Sequence, residues 1–401
     1  MNSELVNSLI AVGVLAVLSL VLYRPSVQSS IGYRATVVPL ANIMDVGFIM
    51  MSPIIVALIG YDAPWFMLGL CLLAIANGLA IAYNIRHYEP LIGTKDRVNS
   101  IAAVAKWALF AASMVNIAYY AQLMMTLVLS PIGIYTENRV TVTAVVILLG
   151  LAVVGYRWGF GTLNRVGDRT TAFNISAVFA VLAAFVAYNI QEAVGGRFDL
   201  TPYDPPVDAQ TFRQLLGFFA IVQGFEASRY IGARFSSDLR ISTMRRAQYI
   251  AAIAFVTLLA STLLLYSQLR PEADATAVFR ISDQVSPFLP WLILVAAIGS
   301  QLSAIVNASV SRSDLLIEAT YESIPRKYTF PILLVPAAMI VVFTNVTAAV
   351  AVASRVFAAY FLLQALLAGW LAARNRSWLP VAGFSAIGVV MAIIMVFGIS
   401  I

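Results

Sequence analysis

Two apolar stretches decide how this chain is interpreted: VVPLANIMDVGFIMMSP at residues 37–53 and LLGFFAIVQGFEAS at residues 215–228. Both are interrupted by residues that disfavour a continuous helix, namely Pro39, Gly47, Pro53, Gly217 and Gly224. Glycine and proline are common in membrane helices, where they often serve packing alone. Their matched placement near the head of each half of the chain favours a different interpretation, in which two helices are broken within the membrane.

The composition of the whole chain agrees with a membrane location. Of its 401 residues, 61% are hydrophobic and 11% are charged, and the mean hydropathy is +0.88. Soluble domains carry about a quarter charged residues. Since roughly 20 apolar residues span a bilayer, the length allows about a dozen membrane helices and leaves no room for a large soluble domain. The composition therefore argues against a soluble enzyme, and no catalytic residues are predicted.

Cofactors and nucleic acids are also disfavoured by residue counts. Cys71 and His87 are the single cysteine and histidine, which argues against disulfide frameworks and zinc centres built on these residues. The net charge of +6 would suggest a nucleic-acid partner for a soluble protein. In a membrane protein, basic residues more often report topology. We expect no cofactor and no nucleic-acid partner, and the lipid bilayer is the first partner predicted.

Uninterrupted apolar stretches predict about twelve helices. They lie near residues 5–23, 36–60, 64–85, 99–130, 140–156, 171–190, 211–233, 247–267, 288–311, 329–344, 346–372 and 378–400. Alternating the connections between the two sides gathers most of the 25 basic residues on one face, which identifies that face as the cytoplasm. Both termini are then predicted outside, in a plasma membrane of the bacterial inner-membrane type.

The predicted helices divide the chain into two sets of five. The segments are an extra N-terminal helix and cytoplasmic loop (1–35), a first repeat (36–190), an external loop (191–210), a second repeat (211–372) and an extra C-terminal helix (373–401). Because five is odd, the second set must enter the membrane from the opposite side and form an inverted repeat. Secondary transporters of this construction bind solute near the midplane, beside broken helices. An all-α membrane protein with a 5+5 inverted repeat is predicted.

Three further segments resemble the LeuT-fold transporters of the amino acid–polyamine–organocation superfamily, and most closely the sodium/solute symporters. They are QGFEASRYIGARFSSDLRISTMRRAQ (223–248), AAIGSQLSAIVNASVSRSDLLIEATY (296–321) and GFGTLNRVGDRTTAF (159–173). The first two are similar to the sixth and eighth core helices, and the third is similar to the entry to the fifth, with Asp168 at an acidic position. The resemblance covers residues 36–372 and rests on the order and spacing of the motifs.

The resemblance implies a sodium site between the first and eighth core helices. The matching positions are Asn42, Asp45, Ala297, Ser300 and Gln301. Gln301 stands where relatives carry a second hydroxyl residue. Its carbonyl is a hard oxygen donor that suits sodium, but its side chain is larger and can instead fill the site. Either sodium or a proton is therefore expected as the coupling ion.

Four ionisable residues fall within predicted spans: Asp45, Lys106, Glu226 and Arg355. A lone charge at the bilayer centre costs about 2.5–3.5 kcal/mol on insertion scales, so such residues pair, line water or serve transport. One hypothesis is that Lys106 neutralises Asp45 or Glu226, with one carboxylate exchanging a proton during transport. The alternative is a static ion pair that holds helices together. Arg355 either receives a solute carboxylate or extends toward the outer loops.

Four uncharged residues complete the predicted solute site. Gly47, Gln223 and Phe225 flank the breaks, and Tyr119 lies on the third core helix, where relatives line the cavity. Asn42, Asp45, Glu226 and Arg355 are the other predicted solute-binding residues. The leading hypothesis is a symporter-like secondary active transporter of a small organic solute such as an amino acid or carboxylate. The alternative is a transporter-like sensor, or a subunit of a membrane complex with a membrane-protein partner.

Overall fold

The computed structural model of the protein describes residues 3–159, 161–198, 205–232, 234–269, 274, 276–320 and 323–400, without the side chains of 162–169 and 318. In these ranges all regular secondary structure is helical. The helices are α1 (Ser3–Leu22), α2 (Pro25–Gln28), α3 (Ile31–Ile43), α4 (Gly47–Ile59), α5 (Ala63–His87), α6 (Val98–Leu129), α7 (Glu137–Trp158), α8 (Gly161–Val194), α9 (Ala209–Leu216), α10 (Ser237–Leu269), α11 (Ala277–Val285), α12 (Leu289–Ala319), α13 (Arg326–Phe343), α14 (Val346–Arg374) and α15 (Trp378–Phe397).

The structure confirms an all-α membrane protein. Ten helical segments among the described residues are long and apolar enough to cross a bilayer. The total of twelve spans and the inverted 5+5 repeat stay predictions, as do the five segments into which the chain was divided. Part of the predicted external loop, residues 199–204, and the side chain of Asp168 lie outside the described part of the chain.

The first predicted break is present, but not where the prolines stand. Helix α3 ends at Ile43 and α4 begins at Gly47, so Met44 to Val46 form the interruption. Pro39 and Pro53 were expected to break the helix, yet both lie inside regular helix. Membrane helices tolerate an internal proline because neighbouring groups satisfy the freed carbonyl. The break therefore falls on the polar Asp45 and the flexible glycine that follows it.

The second predicted break is longer than the first. Helix α9 ends at Leu216, just before Gly217, and is followed by two short 3-10 segments, 219–222 and 225–231. Gly224 separates them and has φ +120°, a conformation that residues with a side chain rarely adopt. This glycine is therefore required by the backbone at the second break.

Several helices exceed the apolar stretches that predicted them. Helix α10 starts at Ser237, ten residues before the predicted span, and α8 starts at Gly161. An apolar window detects the part of a helix inside hydrocarbon, whereas its polar end turns extend into the interface. Hydropathy also missed α11, because its nine residues are too few to cross a bilayer.

The two broken segments pack against each other, with residues 225–231 against α3 and α10 and residues 219–222 against α14. Helix α10 packs against α3, α4 and α5, while α12 packs against α6 and α8. The extra helices lie at the periphery, α1 against α8 and α15 against α14. The apolar core is formed largely by the helices of the two predicted repeats, and its largest fully buried side chains include Phe225 and Phe361.

The connection between α5 and α6 is fixed at both ends by ion pairs. Arg240 of α10 is 2% exposed and binds Glu89 through both guanidinium ends, at 2.6 and 2.8 Å. It also donates to the Arg229 carbonyl of the second broken segment at 3.0 Å. At the other end, the Arg374 guanidinium binds Asp96 and holds the pKa of that carboxyl below its usual value. Arg240 thus ties the connection to the second broken segment.

We expect Glu89→Gln to destabilise the protein because it leaves the buried Arg240 guanidinium without its counter-ion. Breaking a buried pair costs about 3 kcal/mol. The matched control is Asp238→Asn, which breaks the exposed pair with Arg86 and should cost about 0–1 kcal/mol. The midpoint of thermal unfolding in detergent checks both. Equal midpoints for the two variants would contradict a special role of the Arg240 pair.

Candidate functional site

A small polar cavity lies where the two broken segments meet α6 and α14. Its volume is about 20 Å³, close to the space that one or two water molecules need. The lining residues are Asn42, Ile43, Asp45, Phe48, Asn116, Tyr119, Tyr120, Ala220, Ile221, Gln223, Val350 and Ala353. The two breaks therefore do more than kink their helices, because together they line a polar space next to the apolar core.

At the first break, an acidic side chain caps the new helix. The Gly47 N–H donates to Asp45 Oδ1 at 2.5 Å, which satisfies one of the amides freed at the start of α4. A side chain at Gly47 would begin 2.5 Å from Tyr119 Oη and 2.6 Å from Asp45 Oδ1. Glycine at this position lets the Tyr119 hydroxyl approach the break. Asp45, Gly47 and Tyr119 thus form one packed unit.

The second break is capped in a similar way. The Gly224 N–H donates to Glu226 Oε2 at 2.8 Å, and the Glu226 side chain is buried. A side chain at Gly224 would begin 2.6 Å from the Asn42 carbonyl group. The two broken segments are therefore in backbone contact, and the contact joins the last turn of α3 to the second break.

Helix α14 satisfies further backbone groups of the second broken segment. Ser354 Oγ accepts from the Ala220 N–H at 2.8 Å and donates to the Gly217 carbonyl at 2.6 Å. Ser354 is fully buried. One serine thereby replaces two hydrogen bonds that a regular helix would have made within itself.

Aromatic rings form the far wall of the second break. Phe225 stacks on Phe361 of α14 with ring centroids 5.1 Å apart, and Phe219 meets the same ring edge-on at 5.7 Å. Gln223, which precedes Gly224, lines the cavity and is 4% exposed. Its Oε1 has no hydrogen-bond partner within the described part of the chain. A buried acceptor of this kind is a candidate contact for a solute.

The predicted partner of the carboxylates, Lys106, does not line the cavity. It is half-buried near the start of α6, thirteen residues before Tyr119 and so about 20 Å away along the helix. The cation that interacts electrostatically with Glu226 is Arg312 of α12. Its Nε donates to Ser113 Oγ at 2.6 Å. The predicted span near residues 288–311 stops just before Arg312, whereas α12 extends past it to Ala319, so hydropathy did not place this cation inside the bundle.

The structure places Arg355 away from the cavity. Its side chain is exposed, and it donates to the carbonyls of Met395 and Val396 at 3.2 and 2.8 Å, at the end of α15. The last carbonyls of a helix have no hydrogen-bond partner within the helix, and a cation beside them interacts favourably with the helix dipole. Arg355 therefore acts as a cap between two helices in this structure.

The α12 residues of the predicted sodium site are also separate from the cavity lining. Ala297, Ser300 and Gln301 are buried on α12, and Gln301 is 0% exposed. The side-chain amide of Asn174 on α8 forms two hydrogen bonds to α12 when its oxygen and nitrogen are interchanged. It then donates to the Ala296 carbonyl at 3.3 Å and accepts from the Ser300 N–H at 3.2 Å. Neither polar atom of the Gln301 amide has a partner among the described residues. Those orphaned atoms are compatible with an ion or water beside α12.

The structure thus brings together part of the predicted site. Asn42, Asp45, Tyr119 and Gln223 line the cavity, and Gly47, Phe225 and Glu226 adjoin it. Lining residues that the prediction omitted are Asn116 and Phe48, among others. The Asn116 side chain donates to Tyr120 Oη at 2.8 Å. The four-residue spacing of Asn116 and Tyr120 on one helix was the available signal for this pair.

The fold and this cavity define a class: a polytopic α-helical membrane protein with a polar site between two broken helices. The model of the APC superfamily transporters matches residues 25–398. The chain therefore belongs to the APC superfamily of transporters. A relative in Aquifex aeolicus (strain VF5), an uncharacterized protein, is 26% identical over 414 residues, which cover 99% of this chain and all of that protein.

Solved transporter structures share the fold. A Na+-coupled sialic acid symporter in a substrate-bound, outward-open state matches with a TM-score of 0.55 and 14% identity, over 98% of each chain. A mutant of the manganese transporter of Eremococcus coleocola matches with a TM-score of 0.56 and 13% identity, over 90% of this chain and 85% of that one. These identities support a shared fold.

We expect Gly47→Ala to disturb the site because its methyl group would meet the Tyr119 hydroxyl and Asp45. The cost should be about 1–3 kcal/mol, seen as a lower midpoint of thermal unfolding. Adding Tyr119→Phe removes the hydroxyl and should restore part of the loss. Gly150→Ala on α7 is the control, since nothing lies within 4 Å of a side chain there. An unchanged midpoint for Gly47→Ala would contradict the close packing at the first break.

Proposed function

We propose that this protein is a secondary active transporter that moves a small organic solute across the membrane by alternating access. The observation that carries the proposal is the cavity between two broken, self-capped helices that touch at Gly224 and Asn42. Broken helices around a midplane site are the structural basis of solute binding in secondary transporters. Membership of a transporter superfamily supports the same conclusion.

The breaks also provide a route for the conformational change. Two short segments joined at a non-helical point can tilt separately, whereas a continuous helix moves as one rod. The second segment is held at its inner end by Arg240 through the Arg229 carbonyl, and at its outer end by Ser354. Movement that exposes the cavity to one side would change one set of contacts while the other set persists.

The coupling ion is proposed to be sodium or a proton. A Na+-coupled symporter among the structural neighbours supports sodium. Within the superfamily, we place the chain nearest the sodium/solute symporters on the resemblance of its motifs. Asn42 and Asp45 would then share the ion with α12, whose Gln301 has an unpartnered amide in the described structure. The acidic side chains at both breaks support a proton instead.

The remaining features of the proposal concern topology. We propose twelve spans, an inverted repeat of residues 36–190 and 211–372, and both termini outside a bacterial inner membrane. The polar groups of the site serve solute binding, so no enzymatic role is proposed. The bilayer and the solute are the partners.

A second candidate function is a transporter-like sensor or a subunit of a membrane complex. The small cavity, about 20 Å³, favours this alternative because it is far below the volume of a typical small-molecule site. A sensor needs to bind its solute but has no need to release it on the other side. Binding without uptake would therefore identify the sensor.

Uptake into proteoliposomes tests the proposal. We expect the reconstituted full-length protein to accumulate a member of a panel of amino acids, carboxylates and amines when either a sodium or a proton gradient is imposed. Protein-free vesicles and vesicles with collapsed gradients are the controls. Solute binding in detergent without accumulation under either gradient would reject transport and support the sensor.

The role of the charges in coupling is tested by two neutralising variants. If Asp45 binds and releases the coupling ion, Asp45→Asn should lower gradient-driven uptake at least tenfold. The variant should also flatten the dependence of uptake on pH or sodium. Lys106→Met should have the smaller effect, since Lys106 lies outside the cavity lining. The reverse order would restore the hypothesis that Lys106 is the built-in cation. Unchanged uptake in both variants would exclude coupling through these residues.

A further inference from the structure

A second pocket lies outside the cavity between the breaks and is much larger. Its volume is about 240 Å³, against about 20 Å³ for that cavity, and the two have no lining residue in common. Three segments form it. Ser130 and Pro131 follow the end of α6, Arg280 and Asp283 belong to α11, and Trp291 lies in the first turn of α12.

The helix ends place this pocket at the surface of the bilayer. Helices α6 and α12 are both long and apolar enough to span the membrane, and the pocket is formed where the first ends and the second begins. Trp291 is 65% exposed, and tryptophan is enriched at the level of the lipid head groups. In the proposed topology this is the outer face. The molecules that reach the pocket most readily are therefore those of the head-group region.

Helix α11 presents two opposite charges to the pocket. Arg280 and Asp283 are three residues apart, which places them on the same side of the helix with about 5–6 Å between their Cβ atoms. Val278, Ile281 and Val285 are buried in the protein. The helix thus packs through its apolar side, and a cation and an anion on another side line the pocket.

The two charged groups of the pocket do not pair with each other. Within the described part of the chain, Asp283 forms no hydrogen bond or ion pair, either with Arg280 or with any other residue. Arg280 lies 3.9 Å from Asp274 Oδ1, which is longer than a hydrogen bond. That oxygen accepts from the N–H groups of Thr276 and Ala277 at 2.8 Å and so caps the start of α11. The pocket therefore offers a positive and a negative group to one ligand.

These two groups match the head group of a zwitterionic phospholipid. An arginine guanidinium binds a phosphate through two parallel N–H···O bonds. A carboxylate accepts hydrogen bonds from an ammonium group. In the phosphoethanolamine head group, the phosphate and the ammonium are joined by a short two-carbon link. One such head group can therefore bind Arg280 and Asp283 at the same time.

An apolar row on α12 continues from the pocket into the membrane. Leu294 lines the pocket together with Trp291. Trp291, Val295 and Ile298 are 65%, 56% and 38% exposed, and their spacing of four and three residues places them on one side of the helix. The row is about 10 Å long. It suits an acyl chain attached to a head group in the pocket, whereas a water-soluble zwitterion would leave the row uncovered.

We propose that this pocket binds a zwitterionic phospholipid of the phosphatidylethanolamine type, with Arg280 on the phosphate, Asp283 on the ammonium and the acyl chain along the Trp291 row. The bound lipid connects α11 to α12 and to the end of α6. Helix α11 also packs against α4, the helix that starts at the first break. Asn7 of α1 holds the other end of α11 by donating to the Val285 carbonyl at 3.1 Å. The site is separate from the solute cavity and does not depend on the proposed function.

Binding of four matched ligands to the purified full-length protein in non-ionic detergent tests the inference. They are phosphatidylethanolamine, phosphatidylglycerol and diacylglycerol with identical acyl chains, and free phosphoethanolamine. Native mass spectrometry measures the affinities, and the midpoint of thermal unfolding reports stabilisation. We expect phosphatidylethanolamine to bind about fivefold more tightly than phosphatidylglycerol, which has no ammonium for Asp283. Diacylglycerol and free phosphoethanolamine should bind much more weakly, since each lacks half of the recognised groups.

Three variants assign the binding to the pocket. Arg280→Gln should weaken both phospholipids about fivefold through loss of the phosphate contact. Asp283→Asn should weaken phosphatidylethanolamine alone and so abolish the preference over phosphatidylglycerol. Trp291→Ala should weaken both lipids severalfold. The matched controls are Asp62→Asn and Trp65→Ala, which change exposed residues at the start of α5 and should leave the affinities and the preference unchanged.

Several outcomes would overturn the inference. Equal affinity for the two phospholipids, or a preference that persists in Asp283→Asn, would reject head-group recognition by the charge pair. Free phosphoethanolamine that binds as tightly as the lipid would reject a lipid site. Equal losses in Trp291→Ala and Trp65→Ala would indicate ordinary contact with surrounding lipid. The unfolding midpoint of each variant without added lipid checks folding, and Arg280→Lys, expected to bind more weakly than wild type, replaces Arg280→Gln if that variant fails to fold.

Discussion

The fold depends on one constraint, which is that a polypeptide inside a bilayer must satisfy its backbone hydrogen bonds without water. A helix interrupted in midspan frees N–H and C=O groups where an unsatisfied group costs several kcal/mol. In this protein, neighbouring side chains take up several of those groups. Asp45 caps the first break, while Glu226 and Ser354 serve the second. Of these three side chains, Asp45 also lines the polar space between the breaks, so at the first break one group serves both stability and the polarity of the site.

Close backbone contact is the second requirement of this arrangement. Gly224 lies against Asn42 because it has no side chain, and its positive φ turns the chain between two short segments. Gly47 also has no side chain, and this allows the Tyr119 hydroxyl to reach the first break. Each glycine therefore sets the position of a polar group belonging to another segment. The geometry of the cavity follows from these two contacts rather than from the helices as a whole.

The sequence predicted helices and breaks well because both depend on local properties. Apolar length marks the spans, and the acidic residue beside a glycine marks each interruption, although Pro39 and Pro53 proved compatible with helix. Partners of the charged residues could not be predicted in the same way. Whether Glu226 meets Lys106 or Arg312 depends on where α12 ends and how it packs on α6. Such contacts join segments distant in the chain, and hydropathy contains no information about them.

Arg355 shows how an intramembrane charge can serve the architecture of a transporter. The end of α15 has carbonyls without partners in the helix, and Arg355 donates hydrogen bonds to two of them. Arg213 of α9 donates to the Phe397 carbonyl at 3.3 Å. The Arg213 carbonyl accepts from the Ile399 N–H at 3.0 Å. The end of α15 is thereby bonded to α9, the first part of the second broken segment, as well as to α14. Any tilt of α9 relative to α14 must carry this end along or break these bonds, so the last helix is coupled to the second broken segment although it lies at the edge of the bundle.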